Sequence, residues 1–301
     1  MSNFDVIVIG QGYAGLTAAK LAAQKGLRTA NLEAEMFGGL IININELDPV
    51  PADAAAAGTA SGVDLASNLA MENMDAGIEA ISEPVTAIAQ QASGGFVVTT
   101  DGGRYTARNV IIATGAKFRT LGIPGEAEFV GRGVSNCGDC DGPMFQGKEA
   151  VVVGGGDSAF QEAHALVQWC SRVTIVFRGE APRAAAHFIE HLAGNPKVVL
   201  MNRTTPLAIL GSNGVDGLRV SREGEGESTL ACAGVFVFAG LEPNTACAPA
   251  DLARDEGGCL VVSDKRATAL PGLWAIGAVR AGFGGSLSDA AEDAALVVGA
   301  L

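Results

Sequence analysis

The chain has 301 residues, 33 acidic against 20 basic, for a net charge of −13. A field of that sign repels phosphate backbones and argues against nucleic-acid binding, and no apolar run reaches the roughly 18–20 residues of a membrane span. The length accommodates two domains with separate cores, and 41 glycines within a 48% hydrophobic composition suit a glycine-punctuated α/β protein. Met1 to Asp5 carries no basic region of the signal-peptide kind, so a cytoplasmic location is the expectation.

Phe4 to Ile9 is apolar throughout and reads as a buried parallel strand. It runs into Gly10-Gln11-Gly12-Tyr13-Ala14-Gly15, a helical stretch from Leu16 to Lys25, and a second strand from Arg28 to Glu33. Strand, glycine turn, helix, strand and terminal acid together make a dinucleotide fingerprint. Gly10, Gly12 and Gly15 permit the tight turn and close pyrophosphate approach, the helix N-terminus attracts phosphate, and Glu33 can hold ribose hydroxyls. Gly38-Gly39 and the Pro49/Pro51 region read as loops, Ala52 to Ala60 as alanine-rich low complexity, and Gly62 to Met74 as a helix. Val85–Ile88, Phe96–Thr100 and Tyr105–Ala107 read as short antiparallel strands. Asn109 to Thr114 is a further buried strand, ending in Ala113-Thr114-Gly115.

Lys117 to Pro124 reads as a connector into a second unit. There Ala150–Val153 leads into Gly154-Gly155-Gly156-Asp157-Ser158-Ala159, a helix to about Trp169, and a strand from Val173 to Phe177. The plan of the first turn recurs, which implies two nucleotides. Where the first copy ends in Glu33, the second has Arg178, with Arg183 close behind; cations there suit a 2′-phosphate and favour NADP over NAD. Strands are expected at Val198–Leu200, Gly217–Ser221, Gly234–Phe238, Cys259–Val262 and Leu273–Gly277, and a helix at Ser286–Leu301. The last part is too small to stand alone and completes the first domain. The expected division is 1–116 with 244–301, and 117–243 inserted.

Between the two glycine turns lies Cys137-Gly138-Asp139-Cys140-Asp141-Gly142. Two cysteines at this spacing suit thiol exchange better than bracing, and Asp141 stands where a proton can be handed to a departing thiolate. Cys170, Cys232, Cys247 and Cys259 are isolated and read as small hydrophobes. Nothing points to a metal: the pair lacks a second ligand pair, and the three histidines are His164, His187 and His191.

Taken in order, these motifs resemble the low-molecular-weight thioredoxin reductase family over essentially the whole chain. The matching pieces are Gly10 to Gly15, Gly38-Gly39, Ala113 to Ala116, Gly131 to Ser135, Cys137 to Gly142, Gly154 to Ala159, Gly240 with Pro243-Asn244-Thr245, and Pro271 to Gly277. The resemblance implies two Rossmann-like nucleotide-binding domains, the second inserted in the first. It implies a homodimer holding FAD in the outer domain and NADPH in the inserted one, with thioredoxin or a similar disulfide as partner. It places Cys140 toward the flavin, Cys137 toward the substrate, and Asp141 as acid and base.

Three departures concern the cofactors. The family's His-Arg-Arg reads Phe177-Arg178-Gly179 with Arg183 retained, its Gly-Asp near the C-terminus reads Gly277-Ala278, and its Arg-Gln-Ala reads Gly285-Ser286-Leu287. The sequence therefore leaves two other readings open: the same fold with another donor or acceptor (ferredoxin-driven, or a small-molecule dithiol oxidase), and a non-enzymatic flavin-binding redox sensor.

Overall fold

Strand β1 (Asn3–Ile9) is apolar on both faces because both are covered and both edges are paired: Val6, Ile7 and Val8 are fully buried. Each such side chain contributes roughly 1.5–3 kcal/mol by leaving water. The structure, a computed structural model, describes residues 3–301. Helix α1 (Tyr13–Gln24) follows, and β2 (Thr29–Glu33) returns parallel to β1 with Ala30 opposite Ile7. The alanine-rich stretch read as irregular contains helix α2 (Ala52–Ala56), whose Ala54 is buried in a cluster with Tyr13 and Leu65. Helix α3 (Gly62–Asp75) is capped by Ser61, whose side chain accepts the Asp64 N–H. Strands β3 (Glu79–Ser82), β4 (Val85–Gln90), β5 (Phe96–Thr100) and β6 (Arg104–Ile112) complete the first pass.

The two segments expected as separate strands before and after Arg108 form the single strand β6. Its Thr106–Ile112 stretch pairs parallel with β1, while Arg104–Ala107 pairs antiparallel with β5. One backbone thus serves two neighbours of opposite direction, which the side-chain pattern does not reveal. Strand β7 (Ala116–Phe118) then carries the chain out.

The inserted segment opens with β8 (Val134–Ser135), the one-turn helix α4 (Gly138–Asp141), and β9 (Glu149–Val153). It continues through α5 (Asp157–Leu166), β10 (Arg172–Val176), α6 (Ala186–Leu192) and β11 (Val198–Met201). After the antiparallel strands β12 (Thr204–Gly211), β13 (Val215–Arg222) and β14 (Gly226–Ala231) comes β15 (Gly234–Val237). The second sheet has the order β11-β10-β9-β15-β8, parallel throughout. None of α6, β12 and β14 was expected; α6 is held by burial of Phe188 and Leu192 rather than by a long periodic pattern.

Strand β16 (Leu241–Pro243) pairs with β7 as the chain returns. Strand β17 (Leu273–Ala275) then joins the second half of β6, and α7 (Leu287–Ala300) closes the chain with a Ser286/Asp289 capping box. The first sheet has the order β3-β2-β1-β6-β5-β4, with β17 on β6. The strand expected at Cys259–Val262 is absent. Leu260 makes only isolated bridges, to Arg254 and Arg280, and is fully buried, so its apolarity reflects an anchored loop. The chain divides into two compact units, Met1–Lys117 with Glu242–Leu301, and Phe118–Leu241. Each is a Rossmann-like α/β unit, the second inserted in the first.

Candidate functional site

Cys137 and Cys140 are joined as a disulfide with their Cα atoms 5.4 Å apart. Cys137 stands at the N-cap of α4, where its Sγ accepts the Cys140 N–H at 3.1 Å. The Cys137 N–H in turn donates to Ser135 Oγ at 3.1 Å, fixing the entry to the loop. Cys137 is buried and Cys140 is exposed. Asp141 is half-buried at the end of α4 and lines a small cavity with Ser135 and Met144. The other cysteines take no part: Cys170, Cys232 and Cys247 are buried and Cys259 is half-buried. Burial pushes the thiol of Cys170 up to about 11 and that of Cys232 up to about 12, which disfavours the thiolate at both.

The residues read as the first nucleotide cradle converge at the carboxyl ends of β1 and β6. Gly10 has φ +107°, and a Cβ there would stand 2.3 Å from the Ala113 carbonyl oxygen. Gly15 lies against the Gly10 carbonyl and Ala113, Gly38 donates its N–H to the Gln11 carbonyl at 2.6 Å, and Gly39 faces Gly12. Gly12 itself caps α1, and a Cβ on it would meet nothing within 4 Å. That gap, at a helix N-terminus whose first turn holds no acidic residue, fits a pyrophosphate. Glu33 accepts the Gln11 N–H on Oε2 at 2.7 Å and the N–H groups of Ala34 and Glu35 on Oε1. The carboxylate is thereby aimed, with a lone pair left for ribose hydroxyls. Thr114 and Gly115 are tied to Asn244, which accepts from Thr114 Oγ1 at 2.6 Å and donates Nδ2–H to the Thr114 carbonyl at 3.0 Å. The residues present fit a dinucleotide such as FAD.

In the second unit Gly156 caps α5, again with nothing within 4 Å of a Cβ. The Gly155 carbonyl accepts the N–H of Arg183 at 2.6 Å and of Ala184 at 3.1 Å, and Asp157 Oδ1 accepts the Ala185 N–H at 2.7 Å. These bonds fold the 183–185 segment onto the glycine turn and bring Arg183 beside it. Ser158 is exposed in the first turn of α5, while Ala159 is buried beneath. Arg178 and Arg183 are both exposed, and neither forms an ion pair among the described residues. Two unneutralised cations beside an open helix N-terminus fit a 2′-phosphorylated nicotinamide dinucleotide. Phe177 is buried, packed against Gly155, and offers no donor where the family has histidine.

Gly277 and Ala278 lie in a one-turn 3-10 helix, Gly277–Val279, close to Ala14 of the first turn. Asp293, fully buried on α7, holds this segment from behind. Its Oδ2 accepts the Gly277 N–H at 2.9 Å and Arg280 Nε at 2.6 Å, and its Oδ1 accepts Arg280 Nη2 at 2.8 Å and Arg266 Nε at 2.5 Å. Burial alone would raise this carboxyl, but the bonds from Arg280, Gly277 and Arg266 prevail and hold it below the usual carboxylate range.

Sequence reasoning missed Asp293, Arg280, Asn244 and Glu162. Glu162 is a buried carboxylate on α5 that accepts the Gly138 N–H inside the disulfide loop. The readable signal was one acidic residue on the apolar face of each helix, Glu162 on α5 and Asp293 on α7. The three histidines also come together, with rings of His164 and His191 5.4 Å apart and of His187 and His191 6.2 Å apart. Among the described residues no group of three ligands is placed to hold a metal ion, and no helix is long and apolar enough to cross a membrane.

Two nucleotide cradles, with a disulfide between them in the sequence, define an oxidoreductase that moves electrons between a pyridine nucleotide and a dithiol. The profile of the pyridine nucleotide-disulphide oxidoreductases matches residues 4–295. The thioredoxin reductase of Treponema pallidum (strain Nichols) is 39% identical over 296 residues, covering 98% of this chain and 95% of its own. The crystal structure of Lactococcus lactis thioredoxin reductase (FR conformation) superposes with a TM-score of 0.92 at 31% identity, covering 99% of this chain and 97% of the other. That of T. acidophilum thioredoxin reductase gives 0.90 at 28% identity, with the same coverage. The chain belongs to the low-molecular-weight, bacterial-type thioredoxin reductase family. It is an enzyme, an FAD- and NADPH-dependent disulfide oxidoreductase.

Proposed function

We propose that the enzyme passes electrons from NADPH at the second cradle, through FAD at the first, to Cys137–Cys140 and on to the disulfide of a thioredoxin-like protein. The supporting observation is the loop itself: a Cys137–Cys140 disulfide with a carboxylate, Asp141, directly after it. Gly12 and Glu33 would hold the pyrophosphate and a ribose of FAD, and Gly156, Arg178 and Arg183 the pyrophosphate and 2′-phosphate of NADPH. When bound, FAD would supply a two-electron carrier able to accept hydride from a nicotinamide and to reduce a disulfide. The chain's own part is to hold the sulfurs and manage protons. Cys137 Sγ, already accepting the Cys140 N–H, is the sulfur whose thiolate that bond favours. Asp141 would protonate the thiolate that leaves when the partner is released.

In this reading Cys140 faces the flavin and Cys137 attacks the partner, so buried Cys137 must be uncovered in the cycle. The working form is a cytoplasmic homodimer. The test is stopped-flow flavin bleaching with NADPH, NADH and reduced ferredoxin as alternative donors, followed by turnover with a thioredoxin. NADPH is expected to bleach fastest and to drive thioredoxin reduction; bleaching by ferredoxin alone, or none by NADPH, would overturn the reading.

A further inference from the structure

Along α5 the buried positions are Ala159, Phe160, Glu162, Ala163, Ala165 and Leu166, so a single carboxylate stands in an apolar surface. Glu162 is only 7% exposed. Its Oε2 accepts the N–H of Gly138, which lies between the two bridged cysteines. A Cβ at residue 138 would stand 2.9 Å from that oxygen and 2.9 Å from the Glu162 carbonyl. The missing side chain is therefore what lets the disulfide loop rest on the carboxylate. Accepting backbone N–H groups does not require a charge: a glutamine oxygen can do it without the cost of burying an ionisable group. Burial pushes this carboxyl up to about 7, the Gly138 N–H opposes it, the Asp139 charge adds to it, and the Asp139 N–H opposes it again.

We propose that Glu162 is a positioning residue for the redox pair: it seats the disulfide loop through Gly138 and takes up a proton when the disulfide is reduced. This rests on Cys137–Cys140 being the redox centre. Reduction breaks the S–S bond with two electrons, supplied by the reduced flavin, and two protons. When one sulfur becomes a thiol and the other a thiolate, the second proton resides on Glu162. The ionisable groups around it favour that uptake. The loop contributes Asp139, whose charge favours protonation of Glu162, and the carboxyl of Asp141. On α5 His164 lies roughly 200° round the helix axis from Glu162, and the α6 histidines His187 and His191 gather about His164 instead. Strands β9 and β10 contribute Glu149 and Arg172, both exposed at their first residues. Thiolate and carboxylate then titrate as a coupled pair.

The experiment compares wild type with Glu162→Gln. The holoenzyme is first treated with NADPH, and the gain of alkylatable Cys137 and Cys140 is read by mass spectrometry. No gain in wild type would sink the reading on which the proposal rests, independently of Glu162. Each protein is then reduced with dithiothreitol and the rate of iodoacetamide alkylation of the pair is followed against pH. Wild type is expected to show two inflections, one near neutrality, and E162Q to lose that one. An E162Q profile identical to wild type would overturn the proposal. Should E162Q not fold, wild type alone decides: a reduced-minus-oxidised infrared spectrum with 13C-labelled glutamate at about pH 8 is expected to gain a protonated carboxyl band. Its absence would equally overturn the proposal.

Discussion

Asp293 and Arg280 meet as a two-pronged pair with almost no solvent: Nε to Oδ2 at 2.6 Å, Nη2 to Oδ1 at 2.8 Å, with Asp293 fully buried and Arg280 6% exposed. The same carboxylate binds the Gly277 N–H, so the pair fixes the turn that carries Ala278. Removing one partner leaves the other charge buried and unpaired. Asp293→Asn is expected to lower stability by about 3–5 kcal/mol, read as a shift in urea midpoint, and to weaken flavin retention on gel filtration.

Two carboxyls set opposite limits on stability against pH. Asp293 is held low in the folded state, so its contribution is full above its unfolded pKa and lost as pH falls through the lower, folded one. Glu162 is held high, so its contribution is full below its unfolded pKa and lost as pH rises through about 7. Unfolding free energies measured across this range are expected to fall at both ends. E162Q should flatten the alkaline side and D293N the acid side; slopes unchanged by both would contradict these assignments.

Gly10 and Gly12 belong to one motif and predict different outcomes. At Gly10 the positive φ and the 2.3 Å approach of the Ala113 oxygen leave no room for a methyl group. Gly10→Ala is expected to lose both stability and flavin. At Gly12 the backbone is ordinary and the space is open to solvent. Gly12→Ala should keep the apoprotein's unfolding free energy within about 0.5 kcal/mol of wild type while flavin affinity drops. Equal thermal losses in the two variants would show that the Gly12 gap is not a ligand space.

At the second cradle, Arg178→Ala and Arg183→Ala should each raise the KM for NADPH on the order of 10- to 100-fold, from the loss of a charge-assisted bond of about 1.5–3 kcal/mol. The KM for NADH should hardly move. Gly179→Arg supplies a third cation at a position where a Cβ meets only the backbone of Ala181, its carbonyl oxygen at 3.0 Å. It is expected to lower the KM for NADPH several-fold.

Much of this was legible in the sequence because the signals are local. A glycine turn after a buried strand carries its own geometry, as at Gly10 to Gly15 and Gly154 to Ala159, and two cysteines three residues apart can meet without help from the fold. What escaped depends on pairs distant in sequence. Asp293 reaches Gly277 and Arg280 from another element, Glu162 reaches Gly138 across a strand and a turn, and Asn244 closes on Thr114 after the entire second unit. Leu260 shows the reverse error, since an apolar run proves burial and not pairing.

The chain leaves the first unit along β7 and re-enters it along β16, and these two strands pair with one another. The ends of the insertion are therefore held side by side, as the ends of a hairpin loop are. Such a junction makes the inserted unit a cassette. Its nucleotide preference and its disulfide can change, or be exchanged wholesale, without disturbing the register of the sheet that receives it. The departures at Phe177 and Gly179 fall inside that cassette, where selection could alter the electron donor while the flavin fold stayed intact.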